Sequence, residues 1–238
     1  QDILIISTPD DVPRFESLLG DGSQWGLNIT YKVQPSPDGL AQAFILGDTF
    51  IGNDLSALVL GDNIFYGSGI GKRIAANLDC DGAIIYGYQV KDTSSFGAIK
   101  FDGDKIVNIV EKPVNGNSGY AIPGLYHVDT SVYTEVEGLK PSPRGELEIV
   151  DLIKKYLKQK KLKAEFIGRG SAWLDTGTIE NLNETSQFIA SIEKRQGLKI
   201  GCLEEIAYNN EWITKKELFK AIKFYGNCPY SDYLNNLL

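Results

Sequence analysis

Histidine is almost missing from this sequence, and methionine is missing altogether. His127 is the single histidine, which argues against a histidine-based metal site and against a serine–histidine triad. The three cysteines, Cys80, Cys202 and Cys228, are odd in number, far apart and without metal-site spacing. They predict reduced thiols in a cytoplasmic protein.

Long apolar runs and an excess of positive charge are also missing. No run approaches the length of a membrane span, and no signal peptide is recognisable. The chain carries 24 Lys and Arg against 31 Asp and Glu, a formal net charge of −7. We therefore expect neither a nucleic acid nor an anionic membrane as partner, and a small molecule instead, whose phosphate a local basic cluster could still bind.

The composition that remains is typical of a globular protein. With 238 residues, 42% of them hydrophobic and 23% charged, the chain can form one main core and a small appendage. Residues 2–7 already have a strand pattern with nothing before them, so we expect the chain to begin inside a domain. We predict a core over residues 1–195 and a C-terminal helical cap or oligomerisation segment over residues 196–238.

The first part of the chain alternates between strand and helix patterns. Residues 2–7, 28–33 and 55–60 have patterns typical of strands, and the apolar run at 55–60 predicts a parallel strand buried on both faces. Helices are predicted between them, one with Pro13 in its first turn and one over residues 40–46. This alternation predicts a doubly wound parallel sheet with ligand loops along one edge.

The middle of the chain has short strand patterns without long helices between them. The strands are predicted at residues 83–90, 98–101, 106–111 and 120–128. Turn residues separate them, which indicates antiparallel or mixed pairing. A hairpin turn is predicted at residues 101–104.

Helical patterns return in the last third. They cover residues 146–159 and about 178–197, with one more strand at residues 163–167. Thr214 and Glu217 predict a capping box at the start of a later helix. The tail is also helical, and its apolar face packs either on its own domain or on another subunit.

Two acidic residues occur in short motifs that could carry chemistry. Asp62 belongs to LGDN at residues 60–63, and Asp175 belongs to WLDTG at residues 173–177. Ligands of open α/β sheets bind outside the carboxyl ends of strands, where two carboxylates suffice to hold Mg²⁺ beside water and phosphate oxygens. The alternatives are an ordinary turn at Asp62 and a helix cap at Asp175.

Three further segments carry groups suited to a nucleotide or a sugar phosphate. In EKP at residues 111–113, Lys112 can bind a phosphate and the glutamate can accept sugar hydroxyls. In RGELE at residues 144–148, Arg144 precedes a helix start, where anions are favoured. The loop at residues 34–43 can expose backbone groups to a flat base. The alternatives are an exposed ion pair, helix stabilisation and a plain surface loop.

These segments, in this order, resemble those of the sugar nucleotidyltransferases, and most closely the members that make dTDP-glucose. The matching segments are VQPSPDGLAQA at residues 33–43, LGDN at 60–63, EKP at 111–113, RGELEI at 144–149 and WLDTG at 173–177. The similarity runs from residue 1 to about residue 213. It implies an α/β fold with a doubly wound mixed sheet, Rossmann-like, and a C-terminal helical extension.

The resemblance implies Mg²⁺-dependent thymidylyl transfer: glucose 1-phosphate attacks the α-phosphorus of dTTP, pyrophosphate leaves, and dTDP-glucose forms for deoxysugar biosynthesis. It further implies that Asp62 and Asp175 bind the metal and form the catalytic set with Lys112 and Arg144. The substrate-binding residues that it implies are Gln34, Pro37, Gly39, Asp62, Gly97, Glu111, Lys112, Ile122, Arg144 and Trp173. Such in-line transfer needs charge neutralisation and alignment more than an acid–base residue.

The sequence also departs from the family pattern. The Gly-rich opening loop of the family, of the type GGxGTR with a nearby lysine, does not occur in these residues. We therefore expect the N-terminal strand and loop to be missing and this chain to have little or no transferase activity. Phe96 stands where the family usually has tyrosine, and Pro123 where threonine is common. The alternatives are a non-catalytic remnant that binds a sugar phosphate or nucleotide, and a related enzyme that uses UTP.

The same resemblance extends to a second, regulatory nucleotide site, which family members form between the subunits of a homotetramer. Tyr66, Glu205 and Ile206 match parts of that site. The resemblance thus implies a homo-oligomer. Ordinary surface packing by the C-terminal helices is the alternative.

Overall fold

The computed structural model of the chain describes residues 1–77 and 79–238. This part divides into two compact units. The terminal unit consists of Gln1–Ser36 and Phe188–Leu238, and the central unit is Pro37–Gln187. No helix of the described residues is long and apolar enough to cross a membrane. The predicted boundary between a core (residues 1–195) and a C-terminal cap (residues 196–238) is not the same as this division, and it stays a prediction.

The terminal unit contains a two-stranded parallel sheet. Strand β1 (Asp2–Ser7) pairs with β2 (Asn28–Val33), and helix α1 (Val12–Leu19) connects them. Proline lies in the first turn of α1, as predicted, where its missing N–H costs no helical hydrogen bond. The predicted strand–helix–strand order is confirmed here.

Helices from the end of the chain complete the terminal unit. Helix α7 (Ile179–Gln196) crosses the division at residue 188, and α8 (Leu203–Asn209), α9 (Lys215–Tyr225) and α10 (Pro229–Asn235) follow. The predicted capping box is confirmed: Thr214 Oγ1 accepts from Glu217 N, and the Glu217 carboxylate accepts from Thr214 N at 2.7 Å. The tail is helical and packs on the core of its own unit.

A buried carboxylate lies in the core of the terminal unit. Glu204 is 3% exposed, and it accepts hydrogen bonds from Trp25 Nε1 at 3.0 Å, Tyr225 OH at 2.8 Å and Tyr230 OH at 2.5 Å. Burial alone would raise the pKa of Glu204, but the three donors outweigh it and hold the pKa below its ordinary value. The carboxylate therefore stays charged and joins α8, α9, α10 and the Ser23–Trp25 turn.

The central unit is built on a seven-stranded mixed sheet. Its strands are β3 (Ser56–Val59), β5 (Ala83–Val90), β6 (Gly97–Asp102), β7 (Lys105–Glu111), β8 (Gly119–Ile122), β9 (Leu125–Val128) and β10 (Leu162–Ile167). Their order is β3-β9-β5-β8-β6-β7, and β10 pairs with β5 in parallel while the other pairs are antiparallel. The predicted mixed α/β class is confirmed, as are the hairpin between β6 and β7 and the strand near residues 163–167.

Helices cover this sheet and close the core of the central unit. They are α2 (Gln42–Leu46), α3 (Asp48–Ile51), α4 (Ile70–Ala76), α5 (Val132–Glu137) and α6 (Ile149–Lys158). Helix α6 supplies the fully buried Leu152, Ile153 and Tyr156, which pack with sheet residues such as Ile85 and Ile109. Burial of its apolar stripe is what fixes α6 against the sheet.

Two predictions about strands are wrong. Within the described residues β3 pairs only with β9, antiparallel, and its residues alternate between half-buried and exposed, Val59 being 53% exposed. An apolar run carries no information about strand direction, so the expected parallel strand buried on both faces could not be read from it. The single strand predicted at residues 120–128 is two strands, because Pro123 lacks an N–H for the ladder and the chain turns there before β9.

A separate two-stranded sheet lies in the central unit. Strand β4 (Asn63–Tyr66) pairs antiparallel with β11 (Ala172–Asp175), and Asn63 stands opposite Asp175. These strands directly adjoin the two acidic motifs. Their pairing brings together segments of the chain that are far apart in sequence.

The single histidine is buried in the central unit. His127 is 1% exposed, and its Nδ1 lies 3.3 Å from Tyr86 OH, which itself accepts from Asn77 Nδ2 at 2.7 Å. His127 Nε2 has no hydrogen-bond partner in the described residues. Burial lowers the pKa of His127, although Glu165 partly opposes this.

We expect His127 to make stability depend on pH. The unfolded chain takes up a proton near pH 6.5 and the folded chain resists it, so the free energy of unfolding should fall as pH drops below 6.5 toward the lowered pKa. The slope from this group is at most about 1.4 kcal/mol per pH unit. Urea unfolding of the wild type and His127→Phe at several pH values measures it. An equal slope in both proteins would assign the pH dependence to other groups.

Candidate active site

The turn before β4 and the turn after β11 are fastened to each other. Thr176 donates twice to the carbonyl of Asp62, from its backbone N and from Oγ1, both at 2.9 Å. Leu60 N also donates to Gly124 O at 2.8 Å, which anchors the start of the first turn. Asp62 and Asp175, 113 positions apart in sequence, are therefore held at one end of the β4–β11 sheet.

The carboxylates of Asp62 and Asp175 converge beside Gly177. A Cβ built on Gly177 would lie 3.1 Å from Asp175 Oδ1 and 3.5 Å from Asp62 Oδ2. Gly177 N donates to Asp175 Oδ1 at 2.9 Å, so this carboxylate forms a local turn. Thr178, not Asp175, accepts from Asn181 N at the start of α7. A side chain at position 177 would occupy the space into which both carboxylates point.

The donor set fits a hard divalent cation. Mg²⁺ takes one or two protein carboxylates and completes its shell with water and phosphate oxygens. Among residues 1–77 and 79–238 no group of three or more His, Cys, Asp or Glu side chains could hold a metal. Asp62 and Asp175 together supply two carboxylates, a number that is sufficient for Mg²⁺ when water and phosphate oxygens complete its shell.

A second group of predicted residues meets at the ends of β6, β7 and β8. Gly97 stands opposite both Glu111 and Ile122 in the sheet. A Cβ on Gly97 would lie 3.6 Å from Glu111 Oε2, 3.6 Å from Ile122 Cδ1 and 3.1 Å from Val150 Cγ2. Glycine at this position leaves open the space beside the Glu111 carboxylate.

Arg144 lies among three carboxylates next to this space. It donates from Nε and Nη2 to Glu148, at 2.8–3.1 Å, and its Nη2 lies 3.8 Å from Glu111 Oε1 and 3.6 Å from Glu146 Oε2. The hydrogen bonds to Glu148 raise the pKa of Arg144. Glu148 is only 9% exposed, so it holds the guanidinium in place. The helix predicted from residue 146 begins later, at Ile149, after this carboxylate.

The pKa of Glu111 is raised above its ordinary value. Burial, followed by repulsion from Glu148, raises the pKa of Glu111, and Lys112 and Arg144 oppose the rise. A carboxyl group with a raised pKa beside an open space is characteristic of functional sites.

Lys112 has a strained backbone. Its φ is +40°, in the left-handed region that residues other than glycine rarely adopt. Lys112 N donates to Phe96 O at 3.1 Å, which holds this conformation at the end of β7. The expected alternative, an exposed ion pair of Lys112 with its neighbour, is not formed among the described residues. Strain of this kind concentrates at functional sites.

Trp173 contacts residues of both groups. Its Nε1 donates to Asn63 Oδ1 at 2.5 Å, beside Asp62. Its ring meets Phe96 edge-on, with centroids 4.9 Å apart, and Phe96 directly precedes Gly97. The metal-binding candidates and the residues around Glu111 are therefore connected through one indole.

The predicted base-binding loop is divided between the two units. Pro37 and Gly39 belong to the central unit, where Leu147 N donates to Asp38 O at 2.7 Å. Gly39 has φ +104°, and a Cβ there would come within 2.4 Å of Leu147 O, so only glycine allows this approach. Gln34 belongs to the terminal unit, where its N donates to Ser7 O at 2.8 Å.

The predicted regulatory residues are also divided. Tyr66 ends β4 in the central unit, whereas Glu205 and Ile206 lie on α8 in the terminal unit. Glu205 accepts from Tyr233 OH at 2.6 Å, and Ile206 is 41% exposed. Their role in a second nucleotide site stays a prediction.

Two residues of the site were not predicted from the sequence. The sequence pattern assigns Glu148 to a helix start and Asn63 to a turn. The position of Asn63 directly after Asp62 is the one sequence signal that could have singled it out. Nothing in the motif around Glu148 distinguishes it from a helix-stabilising acid.

The pattern of the nucleotidyl transferase family matches residues 1–192, so the chain belongs to this family of enzymes. A Bacillus anthracis protein assigned as glucose-1-phosphate thymidylyltransferase and crystallised with sucrose superimposes with a TM-score of 0.73 at 33% identity, covering 85% of this chain and 79% of its own. A UDP-glucose pyrophosphorylase in complex with UDP-glucose, 21% identical, shares the fold with a TM-score of 0.67.

Proteins with similar sequences show which nucleotidyltransferases this chain resembles. Glucose-1-phosphate thymidylyltransferases from Neisseria gonorrhoeae, Xanthomonas campestris and Mycobacterium tuberculosis are 47%, 48% and 44% identical over the whole of this chain, which spans 83%, 81% and 83% of their lengths. The chain belongs to the glucose-1-phosphate thymidylyltransferase family. The expected Rossmann-like nucleotidyltransferase fold is thereby confirmed.

Proposed function

We propose that this chain carries the site for Mg²⁺-dependent transfer of a thymidylyl group from dTTP to glucose 1-phosphate, which forms dTDP-glucose and pyrophosphate. The observation that carries the proposal is the convergence of Asp62 Oδ2 and Asp175 Oδ1 beside Gly177. Membership of the family supports this reaction. The carboxylates and the cationic side chains of the site supply the charges that such a reaction requires. Bound magnesium would neutralise phosphate oxygens at this position.

The residues of the central unit take complementary roles in this proposal. Asp62 and Asp175 hold the cation, and Lys112 and Arg144 bind the phosphate groups as fixed positive charges. Glu111 accepts hydroxyls of the sugar. Gly97, Ile122 and Trp173 form walls beside the sugar, and Pro37 and Gly39 contact thymine. The same role at thymine is proposed for Gln34, which belongs to the terminal unit.

A product assay tests the proposed reaction. Chain, Mg²⁺, dTTP and glucose 1-phosphate are incubated for hours, and dTDP-glucose is quantified by mass spectrometry beside a UTP reaction. We expect slow formation of dTDP-glucose, faster than UDP-glucose, and a rise in melting temperature when dTDP-glucose and Mg²⁺ are added. Absence of both product and ligand stabilisation would overturn the proposal, and a larger yield of UDP-glucose would favour the UTP-dependent alternative.

Replacing Lys112 tests whether its strained backbone conformation is kept because its side chain binds the substrate. Lys112→Gly should leave the free energy of unfolding unchanged or raise it by up to about 1 kcal/mol, since φ +40° suits glycine. Affinity for glucose 1-phosphate should fall because the positive charge is lost. Urea unfolding and calorimetry measure the two effects. Lys105→Gly, in the exposed hairpin, is the control that should not change affinity.

We also propose a homotetrameric assembly with a regulatory nucleotide site that includes Tyr66, Glu205 and Ile206, in a cytoplasmic protein. Three free thiols suit a reducing compartment. Residues 1–195 would form the catalytic core and residues 196–238 its cap. Light scattering that shows a monomer at high concentration, with one binding event for dTDP-glucose in calorimetry, would contradict the assembly and the second site together.

A further inference from the structure

Asn63 is the point where three segments of the central unit meet. Its Nδ2 donates to Asp62 Oδ1 at 2.7 Å. Its Oδ1 accepts from Gly124 N at 3.0 Å and from Trp173 Nε1 at 2.5 Å. The amide thus connects the turn before β4, the turn between β8 and β9, and strand β11.

The chemistry of these partners fixes the orientation of the amide. A backbone N–H and an indole N–H can only donate, and an ionised carboxylate can only accept. The amide oxygen must therefore face Gly124 and Trp173, and the NH₂ group must face Asp62. Turning the amide over would break all three hydrogen bonds, so Asn63 has one stable orientation.

This orientation decides which oxygen of Asp62 is available. Oδ1 accepts from Asn63, and Oδ2 is the oxygen that, like Asp175 Oδ1, lies within 3.5 Å of a Cβ built on Gly177. The backbone of Asp62 is held separately by Thr176. Rotation of the carboxylate away from the converging geometry would break the hydrogen bond from Asn63.

We infer that Asn63 is a positioning residue of the metal site. It directs Asp62 Oδ2 toward Asp175 and couples that orientation to the indole of Trp173. The inference rests on the proposed function in one respect, the binding of a divalent cation by Asp62 and Asp175. Groups that orient metal ligands commonly change metal affinity 10–100-fold when they are removed.

The coupling extends toward the residues around Glu111. Trp173 lies edge-on against Phe96, whose carbonyl accepts from Lys112 N. A displacement of the indole on binding of a sugar phosphate would therefore act on Asn63 and, through it, on Asp62. From Lys112 to Asp62 the route consists of three hydrogen bonds and one ring contact.

Metal affinity tests the positioning role. Mn²⁺ binding is measured by electron paramagnetic resonance, with dTDP-glucose present, for the wild type, Asn63→Leu, Asp62→Asn and the double variant. Introduced alone, Asn63→Leu should weaken Mn²⁺ binding by about 10–100-fold relative to the wild type. Introduced together with Asp62→Asn, it should weaken binding much less relative to Asp62→Asn alone. Asn108→Leu, an exposed control on β7, should bind Mn²⁺ normally. Equal affinity of Asn63→Leu and wild type would overturn the inference.

A spectroscopic test follows the indole signals of the wild-type chain and uses one variant for assignment. The indole N–H signals are recorded by ¹H–¹⁵N NMR, with Trp173 assigned through Trp173→Phe. Addition of Mg²⁺ and dTDP-glucose should shift the Trp173 signal and leave that of Trp25, which donates to Glu204, in place. Ligand binding without a shift at Trp173 would overturn the coupling. A wild type that binds neither Mn²⁺ nor dTDP-glucose would instead overturn the proposed function.

Discussion

Asp175→Asn is expected to lower Mg²⁺-dependent formation of dTDP-glucose by about 10²–10³-fold. The substitution removes one of the two charges that converge beside Gly177, where phosphate charge must be neutralised. It keeps Oδ1, so the hydrogen bond from Gly177 N and the local turn can remain. Product formation under single-turnover conditions and Mn²⁺ affinity are the measurements, and the melting temperature without ligand should change little.

A second aspartate provides a matched control for this substitution. Asp92 Oδ1 accepts from Ser94 N at 2.8 Å, the same kind of turn that Asp175 forms with Gly177. Asp92→Asn removes a charge and keeps the acceptor, but it lies outside the converging pair. Its Mn²⁺ affinity and turnover should equal those of the wild type. If Asp175→Asn matched this control, the assignment of the metal site would be wrong.

Glu204→Ala is expected to lower the free energy of unfolding by about 3–5 kcal/mol, a large part of a typical total of about 5–15 kcal/mol. The change leaves three donors of the terminal unit without their acceptor: Trp25 Nε1, Tyr225 OH and Tyr230 OH. Trp25 is 7% exposed, so its unpaired indole N–H would carry the full desolvation cost, whereas Tyr225 is 38% exposed and its hydroxyl can turn to water. Chemical denaturation followed by circular dichroism measures the loss.

The neighbouring glutamate is the control. Glu205 accepts one hydrogen bond, from Tyr233 OH at 2.6 Å, and it is only partly buried. Glu205→Ala should therefore cost about 0.5–1.5 kcal/mol. Equal losses for both variants would show that the three-donor arrangement around Glu204 adds nothing specific.

The Glu204 carboxylate should also make stability fall in acid. Its pKa in the folded chain lies below the ordinary value, so its contribution is present above about pH 4.5 and is lost as pH falls through the lowered pKa. The wild type should lose stability in this window, and Glu204→Gln should lose less.

Much of the local structure could be read from sequence patterns. The strand over Asp2–Ser7, the hairpin between β6 and β7 and the capping box of Thr214 with Glu217 each follow from residues a few positions apart. The direction of β3 could not be read, since an apolar run suits parallel and antiparallel neighbours alike. The break at Pro123 could have been read from the missing N–H of proline.

For the candidate site, too, the sequence decided some features and the tertiary structure decided others. By itself the sequence placed Asp62 after an apolar run and Asp175 beside turn residues, and it left an ordinary turn and a helix cap as alternatives. Only the tertiary structure decided that their carboxylates converge, since this depends on the pairing of β4 with β11. It likewise decided the role of Asn63, whose amide meets partners 61 and 110 positions away. Patterns of neighbouring residues reflect the local backbone, whereas such contacts exist only after distant segments have packed together.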